Sequence, residues 1–389
     1  MIKKILFIFG GIVIGLLLGY TIILYSPKNI FPAKSTLPLS STLDPESNQV
    51  IGFLPYWLTD KAQTDYSKDI TTLAYFSLTI GEDGSIVKMT TPQSEEPGWN
   101  ALQSGKMDPF FAAAKKNGVK LSLVLDSGDN EAIDRLMDDP KTHAENLLND
   151  VLPLMKQYGF TDLNLDVEST NLASPEAQLR FFQFADTLKH GLYTQNAGTF
   201  TVEISGTDLI KQDLINPKNV ALIADHIVIM AYDFHYIGSY VTGPVAPLYG
   251  GGSVAEYDIQ TALQQALRIM PANEIILGVP LYGYQWETID NTPRSAIVPD
   301  SGLVVSGKTV EDFLNSCATC SAQLDNDAQE EYVIYKDQDS GTYHQIFYPD
   351  ENSMTQKINF ANNNNLGGIA LWALGYEDST ILKPLETYK

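Results

Sequence analysis

Beyond residue 48 the hydrophobic pattern repeats a two-part unit. Short runs rich in aliphatic, β-branched and aromatic residues recur as "VIGFLPYW", "ITTLAYFS", "VKLSLVL", "TDLNLDVE", "TFTVEIS", "HIVIMAY", "EIILGVPL" and "GGIALWAL". They read as eight strands. Between them lie stretches of helical period. "SPEAQLRFFQFADTLKHGL" has Ser174 as N-cap and Pro175 at the first helical position, and "SVAEYDIQTALQQALRIM" carries Ser253 and Glu256 at the spacing of a capping box. Strands apolar enough to be covered on both faces, alternating with helices, predict a (β/α)8 TIM barrel. An open α/β sheet is the competing arrangement. The gap between the seventh and eighth strands is the longest and contains the strand-like "EEYVIYKD" and "YHQIFYPD". Residues 287–350 are therefore expected to form an α+β insertion on the rim where barrel loops build sites, walling a groove.

Ahead of the barrel the pattern changes. "ILFIFGGIVIGLLLGYTIILY", from Ile5 to Tyr25, carries no charge and is long enough to cross a bilayer. Lys3 and Lys4 precede it, so residues 1–4 are expected as a cytoplasmic tail, 5–25 as a transmembrane anchor, and the rest outside. Release by signal cleavage is the alternative. Residues 26–48 hold Pro27, Pro32, Pro38 and Pro45 among Ser and Thr, the composition of an extended linker before a folded domain at 49–389. The expectation is a single-pass protein of the cell membrane with an extracytoplasmic domain, acting as a monomer.

Charge narrows the partners. Lys and Arg total 25 against 47 Asp and Glu, and the net charge of −22 opposes nucleic acid or an anionic lipid surface as partner. The two cysteines, Cys317 and Cys320 in "SCATC", cannot complete a four-ligand zinc site, and outside the cell they are expected to form a local disulfide. The five histidines lack metal-ligand spacing, and His235 is expected at most to line a groove. No metal or cofactor is expected.

The fourth run is the most polar. In "GFTDLNLDVEST" strand alternation sends Asn164, Asp166 and Glu168 to one face and Leu163, Leu165 and Val167 to the other. Desolvating a carboxylate costs several kcal/mol unless partners compensate, so an inward polar face needs a satisfied network or a wet, functional mouth. Glu168 ends the strand, which points to the mouth. "DLNLD" mimics the start of an EF-hand loop, but Val167 and Ala173 stand where that loop needs Gly and an acidic residue. Carboxylates two residues apart on one strand face have Cα atoms about 6.5 to 7 Å apart. Such neighbours resist joint ionisation, so one can retain a proton and act as a general acid; Glu168, the outermost, is the candidate.

These residues resemble glycoside hydrolase family 18, the chitinase-like barrels, whose fourth strand carries D-G-x-D-x-D-x-E. Here "TDLNLDVE" aligns Asp166 and Glu168 with the last Asp and the catalytic Glu, while Asn164, Asp162 and Thr161 depart. "IMAYD" is similar to the sixth strand of the family, "GVPLYGYQW" to the seventh, "GGIALWALGYED" to the eighth and "FLPYW" to the first. The resemblance implies a glycosidase acting by substrate-assisted retention, in which the N-acetyl oxygen of the sugar attacks the anomeric carbon. Glu168 would be the acid and base, Asp166 would orient the acetamido group, and Tyr232 would hold its carbonyl. Asp233 would bind the sugar or tune Tyr232, and Trp372 would floor the cleavage point. Asn164, Met230, Tyr56, Phe76 and Tyr282 would complete the binding surface. Asn164 is expected to donate an amide hydrogen bond to Asp166 and keep it ionised. The Asn variant resembles the spore-cortex and cell-wall lytic branch, which favours peptidoglycan-type N-acetylglucosamine polysaccharide over crystalline chitin as partner. A membrane-tethered lectin that binds such glycans without cutting them is the alternative.

Overall fold

Eight parallel strands close into a barrel. They are β1 (Gln49–Pro55), β2 (Thr72–Thr79), β3 (Lys120–Ser127), β4 (Asp162–Val167), β5 (Thr199–Ser205), β6 (His226–Met230), β7 (Ile275–Pro280) and, after five strands of an insertion, β13 (Gly368–Trp372). The order around the barrel is β1-β13-β7-β6-β5-β4-β3-β2. The structure, a computed structural model, describes residues 48–389. The expected cytoplasmic tail, membrane anchor and linker to residue 47 lie outside the described residues. No helix among the described residues is long and apolar enough to cross a membrane.

The helices that position the site include α1 (Pro140–Tyr158), α2 (Pro175–Gln195), α3 (Ile259–Ala266), α4 (Gly307–Ser316) and α5 (Glu351–Asn363). α1 ends at Gly159 with φ +75°, a left-handed conformation that glycine adopts without steric cost, and the chain turns there into β4. α2 starts at Pro175, with the Ser174 hydroxyl accepting from the Ala177 N–H. The expected capping box at Ser253 and Glu256 does not form. Ser253 donates instead to the Gly250 carbonyl within a glycine-rich turn, and α3 begins later at Ile259, capped by Asp258, whose carboxylate accepts from the Thr261 and Gly251 N–H groups.

Alternation divides the barrel strands between two cores. Leu163, Leu165 and Val167 join one apolar cluster with Phe181, Phe184 and Leu188 of α2, whereas Ile51, Phe53, Ala74, Val124, Val228, Ile276 and Ala370 form the interior of the barrel. At the N-terminal end of that interior Asp162 accepts hydrogen bonds from Ser122 (2.6 Å), Thr199 (2.7 Å) and Thr201 (2.9 Å). Nearby, His226 bonds Gln49 at 3.0 Å. The first carboxylate of the polar run is thus a satisfied structural node, far down the strand from the mouth.

The insertion is a five-stranded sheet of β8 (Tyr282–Thr288), β9 (Leu303–Ser306), β10 (Gln323–Asp325), β11 (Glu330–Lys336) and β12 (Tyr343–Tyr348), ordered β9-β8-β12-β11-β10 and antiparallel throughout, with α4 following β9. It begins at Tyr282, directly after β7. Cys317 and Cys320 are disulfide-bonded just past α4. A buried ion pair ties the sheet to the barrel. Glu330 accepts from Lys357 Nζ on α5 at 3.1 Å and from the N–H groups of Val245 and Ala246, while Lys357 also donates to Ser353.

Candidate active site

At the C-terminal end of the barrel interior, inward positions form a row of carboxyl groups. Asp126 on β3 is in register with Asp166 on β4. One step short of Asp166, Leu165 is in register with Val202 on β5, so Glu203 is its neighbour on the other side. Asp126 accepts from the hydroxyls of Ser77 (2.7 Å) and Thr79 (3.4 Å). Asp166 and Glu203 are 4% and 2% exposed, and one oxygen of each has no hydrogen-bond partner. Burial, reinforced by the charges of Glu203, Glu168 and Asp126, holds Asp166 well above the usual carboxylate range. Burial and then Glu168 push Glu203 up to about 8.

Glu168 stands just past β4, reached by solvent on the mouth side, with its N–H bonded to the Ser127 carbonyl. Surrounding protein first, then the charges of Asp233 and Asp126, raise its carboxyl above the ordinary range. Tyr232, half-buried just past β6, is held far above its ordinary range by burial and then by Glu203, Asp166, Asp233 and Glu168. It is therefore a hydrogen-bond donor at any neutral pH. Its ring lies close to Gly278 on β7, where an added Cβ would sit 3.0 Å from Tyr232 Cε1 and 2.6 Å from the Ile229 carbonyl oxygen. Asp233, with φ +59°, accepts from the hydroxyls of Tyr282 and Tyr284.

Aromatic rings border the carboxyl row. Trp372 at the end of β13 packs edge-on against Phe76 (4.6 Å) and Phe53 (5.9 Å), and Trp57, 46% exposed, packs against Phe76 and Tyr56. Beside Glu168 opens a cavity of about 540 Å³, lined among others by Glu203, Asp208, Lys211, Met230 and Tyr236. An acid with a raised proton affinity above a buried acidic pair, a phenol donor and a floor of rings can protonate a leaving oxygen and stabilise positive charge on a sugar. The family model "Glycosyl hydrolases family 18" matches residues 49–377. The chain belongs to glycosyl hydrolases family 18.

Its relatives in the family include the cortical fragment-lytic enzyme of Bacillus subtilis (strain 168), 25% identical over 352 residues that cover 88% of this chain and 72% of the relative. A class V chitinase of Arabidopsis thaliana is 25% identical, over 71% of this chain and 74% of its own length. Among solved structures, the Bacillus megaterium QM B1551 spore cortex-lytic enzyme SleL superposes with TM-score 0.70 at 20% identity, covering 88% of this chain and 74% of the other. The Ostrinia furnacalis Group IV chitinase in complex with allosamidin gives TM-score 0.74 at 21% identity, covering 88% and 97%.

Within this family 18 barrel, Glu168, Asp166, Tyr232, Asp233, Met230, Trp372, Phe76 and Tyr56 all lie at the C-terminal mouth or directly beneath it. Four expectations are corrected. Asn164, expected to touch substrate, is 0% exposed in the barrel interior. Its expected hydrogen bond to Asp166 is not made, since both amide atoms lack a partner. Tyr282, also expected at the binding surface, is 4% exposed and uses its hydroxyl to hold Asp233. His235 is packed inside the fold, with Nδ1 on the Pro244 carbonyl at 2.9 Å. Asp126, Glu203, Asp208 and Trp57 were not singled out by sequence. The alternation of "KLSLVLDS" and "TFTVEIS" does turn Asp126 and Glu203 inward, and that signal could have found them.

Proposed function

We propose that this family 18 glycosidase cleaves β-1,4-linked N-acetylglucosamine-containing glycans with retention, by substrate-assisted catalysis, and that peptidoglycan-type chains are its preferred polymer. The observation that carries the reading is the pairing of an open, raised Glu168 with a buried Asp166 on the same strand face. Both carboxyls approach a sugar at the mouth from below, so the acetamido group of the substrate supplies the nucleophile. Glu168 protonates the leaving glycosidic oxygen and then takes a proton from the attacking water. Asp166 orients the acetamido N–H and offsets the charge of the cyclic intermediate, while the Tyr232 hydroxyl donates to the acetamido oxygen. Trp372 supplies the apolar floor. The cortex-lytic relatives favour peptidoglycan-type chains, and the chitinase relatives support N-acetylglucosamine recognition.

Mass-spectrometric product analysis on N-acetylglucosamine oligomers and on purified peptidoglycan, with the parent protein and Glu168→Gln, tests this. Cleavage by the parent and a loss of about 10² to 10⁴-fold in the variant is expected, the usual worth of general acid-base catalysis. Sugar binding by both proteins with cleavage by neither would leave a lectin.

A further inference from the structure

The carboxyl of Glu168 is placed by the backbone that carries it. Among the described residues no protein group hydrogen-bonds this side chain, and surrounding protein with the charges of Asp233 and Asp126 acts on it instead. The backbone just past β4 is in turn tied to the loop that follows β3. The Glu168 N–H donates to the Ser127 carbonyl at 2.9 Å. Beyond it Asn130 takes over. Its amide oxygen accepts from the Ser169 hydroxyl (3.0 Å) and from the Thr170 N–H (3.1 Å), and its amide nitrogen donates to the Thr170 hydroxyl (2.8 Å). Among the described residues, every side-chain hydrogen bond between these two loops runs through Asn130. The set needs an acceptor with room for two hydrogens beside a donor, which an amide supplies. Asn130 is itself anchored. It opens the short helix Asn130–Leu136, which Asp129 caps by accepting from the Ala132 N–H and which buries Ile133 and Leu136 in the apolar core.

We propose that Asn130 is a positioning residue for the acid: by clamping Ser169 and Thr170 to the loop after β3, it holds Glu168 at the barrel mouth and fixes the part of the cavity wall that those two residues line. What Glu168 does to the substrate rests on the glycosidase reading; where Asn130 puts it does not. Proton transfer needs the acid within about 2.6 to 3.2 Å of the oxygen it protonates, and a displacement of about 1 Å can cost 10²-fold in rate. With Asn130 cut back, Ser169 and Thr170 lose their bonds to the neighbouring loop, and the chain after β4 is free to swing into the open cavity with Glu168 on it. The carboxyl then leaves the surrounding protein that favours its protonated form. The charges that bear on it, from Asp126 on β3, Asp166 on β4, Glu203 and Asp208 on and after β5 and Asp233 after β6, are untouched by the change, as are Tyr232 and the Lys211 and Asp213 of the cavity wall.

¹³C NMR titration of the protein labelled at the Glu δ-carbon, with the resonance assigned by Glu168→Gln, tests where the acid sits. The parent should titrate above the ordinary carboxylate range and Asn130→Ala lower than the parent, because surrounding protein is the largest cause of the rise. No turnover is needed, so this result stands or falls apart from glycosidase activity. A midpoint unmoved by Asn130→Ala overturns the clamp. Should Asn130→Ala not fold, Ser169→Ala combined with Thr170→Val removes both hydroxyls from the other side of the clamp and is read by the same titration. On N-acetylglucosamine oligomers, Asn130→Ala should lower kcat by about tenfold to a hundredfold, with a smaller change in KM and with the alkaline limb of the pH–rate profile moved to lower pH. An unchanged kcat overturns the catalytic consequence. Asn130→Asp should recover most of the lost kcat, since its carboxylate still accepts from the Ser169 hydroxyl and the Thr170 N–H and the Thr170 hydroxyl can turn to donate to it. A loss as deep as that of Asn130→Ala would overturn the assignment of the effect to these bonds.

Discussion

Single residues at the mouth carry opposing demands of charge and burial, and pH exposes them. Glu203 binds its proton up to about pH 8 when folded, against an ordinary value of 4.5. Between those values folding takes up a proton, so stability is greatest on the acid side and falls as pH rises towards 8. The slope from this residue is up to about 1.4 kcal/mol per pH unit. Urea unfolding from pH 5 to pH 9 should show that decline in the parent and a flatter dependence in Glu203→Gln. A variant as steep as the parent would mean that other carboxyls, Asp208 among them, carry the effect. Asp166 and Glu168 were legible in sequence because polar residues alternated with leucine over a whole strand. Glu203 was not, although it turns inward by the same rule. "TFTVEIS" reads as an ordinary strand until the register with β4 reveals which carboxyl stands beside it, and register is a property of two strands that neither one carries alone.

Among the elements, local chemistry fixed some boundaries and tertiary contacts moved others. Ser174 with Pro175 marks the start of α2 because both act within one turn of chain. Ser253 offered the same local signal, yet the turn before it captured its hydroxyl, and Asp258 capped α3 in its place. The alternation of strand and helix carried the barrel, whereas the start of the insertion at Tyr282 was hidden because β8 continues directly from β7 with similar composition. The contact between Glu330 on β11 and Lys357 on α5 was also beyond sequence reading, since it joins residues 27 positions apart that are both 0% exposed in side chain. Lys357→Met leaves the carboxylate of Glu330 buried without its cation, and should cost about 3 to 5 kcal/mol of stability by denaturant unfolding. The double variant with Glu330→Gln should recover part of that loss. If the single variant loses less than about 1 kcal/mol, the two N–H donors of Val245 and Ala246 suffice for Glu330.

For the whole molecule, the dominant property is a net charge of −22. A polymer rich in carboxylates is repelled by such a surface, and salt screens that repulsion over a Debye length of about 10 Å at 0.1 M. Cleavage of peptidoglycan should therefore accelerate as ionic strength rises from low values, through KM more than kcat, while cleavage of uncharged N-acetylglucosamine oligomers stays level. Initial rates on the two substrates over a salt series check this; equal salt dependence would mean that the charge lies away from the path of the glycan. The bond between Lys357 and Glu330 has a consequence for inheritance as well. A recombination that exchanged residues 282–348 for an insertion without an acid at position 330 would strand a bare ammonium in the interior unless position 357, beyond the exchanged segment, changed with it, so the inserted sheet and the barrel helix that meets it have to be inherited as a matched set.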